Sequence, residues 1–337
     1  MRSIVLAFAL LGTSALACKV PVFRYALERW EADQYTLEYR DAAAAPQLDH
    51  HNLVLRHNPD LNSEFAAYYP DSVGLESPFW IGDDVAPLLD SPLRQQLLEM
   101  ITAGASTVWI LVEGKEASLN DATEEKLRSL LAEAAAGIEI PEGVVRPEQL
   151  DTGEVDLAEI DTKDVLRSPI PLKIDFEVLR LRHGDVREEA FRQILLGTHP
   201  NPAMRNTGDP VLVPVFGRGR MLDALPESML SATTIDFASQ YLCGECSCEV
   251  KDENPGADLL VSADWEKLLE NSYTIIDQQL PPLTGAGEFS TPDEASNTPV
   301  ASDEPRSTAL PRNLFILAVA TVCILTLVSV KILRPGE

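Results

Sequence analysis

The sequence predicts a mixed α/β fold with elements in the order β-α-β-α-β-β-α between about residues 106 and 247. Three observations carry that prediction. The run Thr107-Val108-Trp109-Ile110-Leu111-Val112 is continuous and uncharged, the mark of a strand buried on both faces. Two segments of helical apolar spacing, each with a capping residue before it and a glycine after it, follow the first two strands. A short turn, Gly217-Arg218-Gly219, then joins a third strand to a fourth.

Taken in chain order, Val20 to Trp30 reads as a strand, followed by strands at Tyr35 to Arg40 and Asn52 to His57. Ser91 as cap, Pro92 in the first turn, and Leu93, Leu97, Leu98 and Ile101 on one side predict a helix stopped by Gly104. After the strand at 107–112, Asn120 or Asp121 can cap a helix with Glu124 nearby. Leu127, Leu130, Leu131 and Ala134 share its face, and Gly137 closes it. An acidic connection from Ile138 to Pro171 leads to a strand at Ile174 to Leu181. Asp185 and Glu188 form a capping-box pattern for a second helix bearing Phe191, Ile194 and Leu195 and ending at Gly197. Strands at Val211 to Phe216 and Arg220 to Leu225 and a helix from near Ile235 to Cys243 complete the order. Helical crossovers make the first strands parallel, and the tight turn makes the last pair antiparallel. Residues 18–105 form an amino-terminal α/β domain. A second, degenerate copy of the same order is one reading of it, resting on a loose likeness between Val22-Phe23-Arg24-Tyr25 and Phe176-Glu177-Val178-Leu179-Arg180.

This element order resembles the thioredoxin-like fold, over residues 106–280 with the acidic connection as an insertion. Asp209-Pro210, directly before the third strand, stands where that family carries its cis-proline. The family's redox chemistry needs Cys-x-x-Cys at the start of its first helix, where the helix dipole stabilises a thiolate. The matching stretch, Glu113 to Glu124, has no cysteine, so the resemblance implies a redox-silent body. The chain is also similar to uncharacterised bacterial exported proteins that begin Cys-Lys-Val-Pro after a cleaved leader, here Cys18 to Pro21, and carry one carboxy-terminal span. That likeness implies an address and no activity.

The ends agree with such an address. Arg2, the apolar stretch Ile4 to Leu11 and the small-x-small site Ala15-Leu16-Ala17 form a signal-peptide pattern over 1–17. Cys18 would then begin the mature chain. A lipid-modified Cys18 is a further reading, although Ala15 replaces the leucine that such processing prefers. Residues 281–311, rich in Pro, Thr, Ser and acids, predict a disordered linker. A transmembrane helix is expected at 312–333, where an uncharged run of Leu, Val, Ile and Ala is long enough for a bilayer core. Lys331 and Arg334 would keep the tail 334–337 cytoplasmic, leaving the body extracytoplasmic, at the inner membrane. The net charge of −26, from 27 basic and 53 acidic residues, excludes nucleic acid and anionic lipid heads as partners for the body.

The compact chemical feature is Cys243-Gly244-Glu245-Cys246-Ser247-Cys248. Three thiolates at this density suit Cu(I), or Zn(II) with a fourth ligand, and the Cys243/Cys246 spacing suits disulfide exchange. A structural disulfide, including one from this cluster to Cys18, is the third alternative. The cluster's placement after a helix withholds dipole help from its thiols. His50 and His51 would point to opposite faces of a strand, and His57, His183 and His199 have no cysteine near them in sequence. No nucleophile elbow, phosphate loop or His-Glu-x-x-His pair is present. Two functions fit. One is a tethered, non-enzymatic body that contacts other envelope proteins; the other is thiol or copper/zinc handling through Cys243, Cys246 and Cys248.

Overall fold

In the computed structural model, residues 18–155, 160–198 and 208–270 are described, and they fall within one compact unit. The chain enters through β1 (Cys18–Pro21) and turns directly into α1 (Val22–Arg29). Val22, Phe23, Ala26 and Leu27 are buried along α1. That spacing follows a helical face, so the strand expected over Val20 to Trp30 ends at Pro21.

A four-stranded sheet follows, made of β2 (Tyr35–Tyr39), β3 (Leu53–His57), β4 (Phe65–Tyr68) and β5 (Trp80–Gly82), in the order β3-β2-β4-β5. β2 and β3 are parallel and the other pairs antiparallel. Tyr35, Leu37, Leu53, Phe65 and Ala67 line the face turned to the core. By the two-residue alternation of strands, Val54, Arg56, Thr36, Glu38, Ala66, Tyr68 and Ile81 share the opposite face. Two helices come next, α2 (Ala86–Leu89) and α3 (Pro92–Thr102). Ser91 caps α3 as expected, its Oγ accepting from the Arg94 N–H.

β6 (Thr107–Val112), α4 (Ala117–Gly137), the short α5 (Pro147–Asp151), β7 (Phe176–Leu181), α6 (Glu189–Gly197), β8 (Val211–Phe216), β9 (Arg220–Met221), β10 (Leu225–Pro226) and α7 (Ala232–Cys243) follow. The chain then runs through β11 (Glu245–Cys246), α8 (Cys248–Glu253), β12 (Ala257–Asp258) and α9 (Trp265–Leu269). The main sheet has the order β12-β9-β8-β6-β7, with β10 added on β8. β7 is parallel to β6, while β8 is antiparallel to both β6 and β9. β6 is buried along its whole length because each face meets a different core. Val108, Ile110 and Val112 join the cluster shared with the four-stranded sheet, α3 and α6. Trp109 and Leu111 join Leu127 and Leu131 of α4 and Ile235 of α7.

Several expectations are corrected here. The thioredoxin-like fold with a carboxy-terminal span gives way to a mixed α/β arrangement of several sheets. The main sheet takes in β10 and β12 beyond the four strands foreseen, and its core is continuous with that of the first sheet. No helix among the described residues is long and apolar enough to cross a membrane. The stretch 312–333, where the transmembrane helix was expected, lies outside the described residues, as do the leader at 1–17, the linker at 281–311, the tail and His199. No peptide bond among the described residues is cis, so the bond before Pro210 is trans. The helix at 117 begins before Asn120, whose side chain instead bridges the Gly114 N–H at 2.8 Å and C=O at 3.1 Å. Glu188 does not close a box with Asp185; its carboxylate accepts from the Leu93 N–H at 2.9 Å, in the first turn of α3.

Candidate functional site

The corner that holds the cysteines is built from both ends of the described body. α7 ends at Cys243, and the Gly244 N–H closes its last turn onto the Gln240 carbonyl at 2.9 Å. A Cβ at Gly244 would lie 2.8 Å from that carbonyl oxygen, so the close approach favours glycine. β11 then pairs antiparallel with β1, placing Cys246 directly opposite Cys18. Ser247 caps α8 by accepting from the Val250 N–H at 3.2 Å. The cysteine cluster therefore ends one helix and begins another, which corrects its expected placement after a helix only.

Cys18, Cys243 and Cys246 are all buried and reduced. Burial pushes the Cys243 thiol up to about 12, against a smaller lowering by a hydrogen bond with the Ser106 side chain. Burial also raises the Cys18 thiol; a backbone hydrogen bond at Val20 and the Lys251 and Arg29 charges oppose this only in part. The Cys18 Sγ donates to the Lys163 carbonyl at 3.1 Å, and the Lys19 N–H donates to Asp164 at 2.6 Å. Tyr25 packs between the Cys18 and Cys246 clusters, with the Lys251 ammonium 4.9 Å from its ring centre. Burial thus holds the Cys18 and Cys243 thiols protonated, whereas it is the thiolate that binds soft metals and attacks disulfides. Among the described residues no three His, Cys, Asp or Glu side chains come together as a metal site. The Cys248 side chain is outside what is described.

α1 is locked beneath this corner by a buried ion pair. Arg24 Nε donates to Glu28 at 2.8 Å, and Arg24 also reaches the Ser168 carbonyl and hydroxyl at 3.0 and 2.9 Å. Glu28 in turn accepts from the N–H groups of Arg167 and Ser168 at 2.8 and 3.1 Å. The acidic connection is thus strapped to the helix over its last part. Arg218, in the Gly217–Gly219 turn, donates to the Leu27 carbonyl at 2.7 Å at the end of the same helix. That confirms a hairpin turn there; both flanking glycines have positive φ, 59° and 100°.

A second charged cluster escaped the sequence reading. Arg220 pairs with Asp258 and, at 3.3 Å, with Asp33, and donates to the Pro255 and Gly256 carbonyls at 2.8 and 3.2 Å. Tyr35 donates its hydroxyl to the Asp258 carbonyl. Burial pushes the Asp258 carboxyl up to about 6, with Arg220 opposing. These partners lie far apart in the chain, and only the pairing of β9 with β12 brings them together. Among the histidines, His50 has positive φ and lies 3.9 Å from Asp264, while His57 contacts the Arg40 carbonyl at 3.1 Å. They do not converge on the cysteines.

The outer face of the first sheet is the other notable surface. Val54 is 50% exposed and Ile81 60% exposed at its two edge strands. Between them Glu38 is buried, held by Arg56 at 3.4 Å, Asn58 at 2.8 Å and the Tyr68 hydroxyl at 3.3 Å. Comparison with known families, with curated proteins and with solved structures finds no match for this chain.

Proposed function

We propose that this chain is an extracytoplasmic protein-interaction body whose work is contact with another protein rather than catalysis. The observation that carries the reading is the outer face of the first sheet, where Val54 and Ile81 stand exposed on one side. Their neighbour Glu38 is neutralised by Arg56, so this face is close to uncharged on a chain of net charge −26. A partner approaching there meets the least electrostatic repulsion and can bury aliphatic surface, which is the basis of most association. The leader pattern at 1–17 supports the location.

The test uses a photo-reactive residue in place of Val54 or of Ile81 in the full chain, with Glu125 on the solvent side of α4 as control. Adducts of one defined mass from both sheet positions, and none from 125, are expected. No adduct, or equal labelling at all three positions, would overturn the reading.

Thiol or copper/zinc handling through Cys243, Cys246 and Cys248 remains a second reading, favoured only by the facing of Cys18 and Cys246. Against it stands the Cys243 thiol, held protonated at neutral pH by its burial.

A further inference from the structure

We propose that Cys18 and Cys246 are a disulfide-forming pair that staples the entry strand β1 to β11. The two residues are direct partners in the antiparallel pairing of these strands. The register of the ladder shifts between Cys18 and Pro21, but Cys18 and Cys246 are themselves partners; facing residues in a regular pair have Cα atoms about 4.5 or 5.5 Å apart, and both values lie within the range a disulfide spans. Cys18 is 3% exposed and Cys246 fully buried. Tyr25 packs against both the Cys18 and the Cys246 clusters, which places the two thiols near one side chain. Cys243 ends α7 and shares the apolar cluster of Cys246, but it faces no strand partner there, whereas Cys18 does. The pairing therefore selects Cys18 over Cys243 as the partner of Cys246, although Cys243 is far nearer in sequence.

Closing the bond removes a proton and an electron from each thiol. A disulfide oxidant such as oxidised glutathione accepts the two electrons and two protons and leaves as two thiols. The first thiolate attacks the glutathione disulfide and releases one glutathione. The second thiolate then displaces the other from the mixed disulfide. Cys18 gives up its hydrogen bond to the Lys163 carbonyl in the process. Because both sulfurs are buried, the exchange takes place while β1 is detached, during folding or local opening.

The experiment refolds the full chain in a series of oxidised and reduced glutathione buffers, quenches with acid, alkylates remaining thiols and maps disulfide-linked peptides by mass spectrometry. A single Cys18–Cys246 link is expected, retained in C243S and in C248S and lost in C18S and in C246S. Amide exchange at Lys19 and Val20 should slow by about tenfold or more in the linked form. Should C246S fail to fold, C18S still decides, because Cys246 must then become alkylatable under conditions that protect it in the parent chain. A link from Cys246 to Cys243 or Cys248, a dimer joined through Cys18, or a Cys18 that stays alkylatable in the most oxidising buffer would overturn the proposal.

Discussion

A carboxyl buried beside a guanidinium shows how one residue can set a pH dependence. Asp258 keeps its proton in the folded chain up to about pH 6, against an ordinary value of 3.8, because burial outweighs the attraction of Arg220. Between those values the folded state holds a proton that the unfolded state has released. Stability from this group therefore falls as pH rises through that window and is level above about 6. The loss is on the order of 3 kcal/mol. Asp258→Asn removes the titration, so the parent should lose stability relative to the variant as pH rises from about 4 to about 6, measured by urea unfolding. Parallel curves across that range would show that Asp258 titrates normally. None of this was legible from the sequence, because Asp33, Arg220 and Asp258 meet only through strand pairing. The cysteine cluster was legible as chemistry. The burial of Cys243 and Cys246 was not, because local sequence does not record which face of a short element is covered.

Elements were legible where local signals agreed with packing. β6 was read from its uncharged run, α3 from its Ser91 cap and apolar spacing, and α6 from the spacing of Phe191, Ile194 and Leu195. α1 was missed because Val22-Phe23-Arg24-Tyr25 alternates over four residues like a strand, and only the continuation through Ala26, Leu27 and Trp30 reveals the helical face. The expected fourth strand came apart into β9 and β10, which pair with opposite ends of β8, at Val215–Phe216 and at Val211–Leu212. Gly197 was read only as a helix stop, yet a Cβ there would lie 2.0 Å from the Tyr69 hydroxyl. That hydroxyl donates to the Gln193 and Ile194 carbonyls at 2.8 and 3.1 Å, tying the first sheet's trailing loop to α6. Gly197→Ala should cost about 1–3 kcal/mol by overpacking. Tyr69→Phe in the same chain should recover part of that loss, so the double variant is more stable than the sum of the single costs predicts. Strict additivity in thermal unfolding would mean that the clash is relieved in another way.

At the scale of the whole molecule, one core cluster runs from Tyr35 and Leu37 through β6 and α6 to Leu260, so both sheets should unfold in a single transition. A Cys18–Cys246 link would close a loop of about 230 residues. On the chain-entropy account it should add about 5–6 kcal/mol to the unfolding free energy of the oxidised chain over the reduced one. A gain under about 1 kcal/mol in denaturant titrations would show that the link strains the folded state. The pairing of β1 with β11 also bears on how the polypeptide is made. The segment that leaves the ribosome early must wait for residue 246 before its backbone finds a partner, and until then α1 lacks the Cys246 side of its hydrophobic contacts. Translation intermediates arrested near residue 230 should therefore be cut by protease around Cys18 to Arg29, and those arrested beyond about residue 300 should resist, so the first stretch synthesised would be among the last to settle.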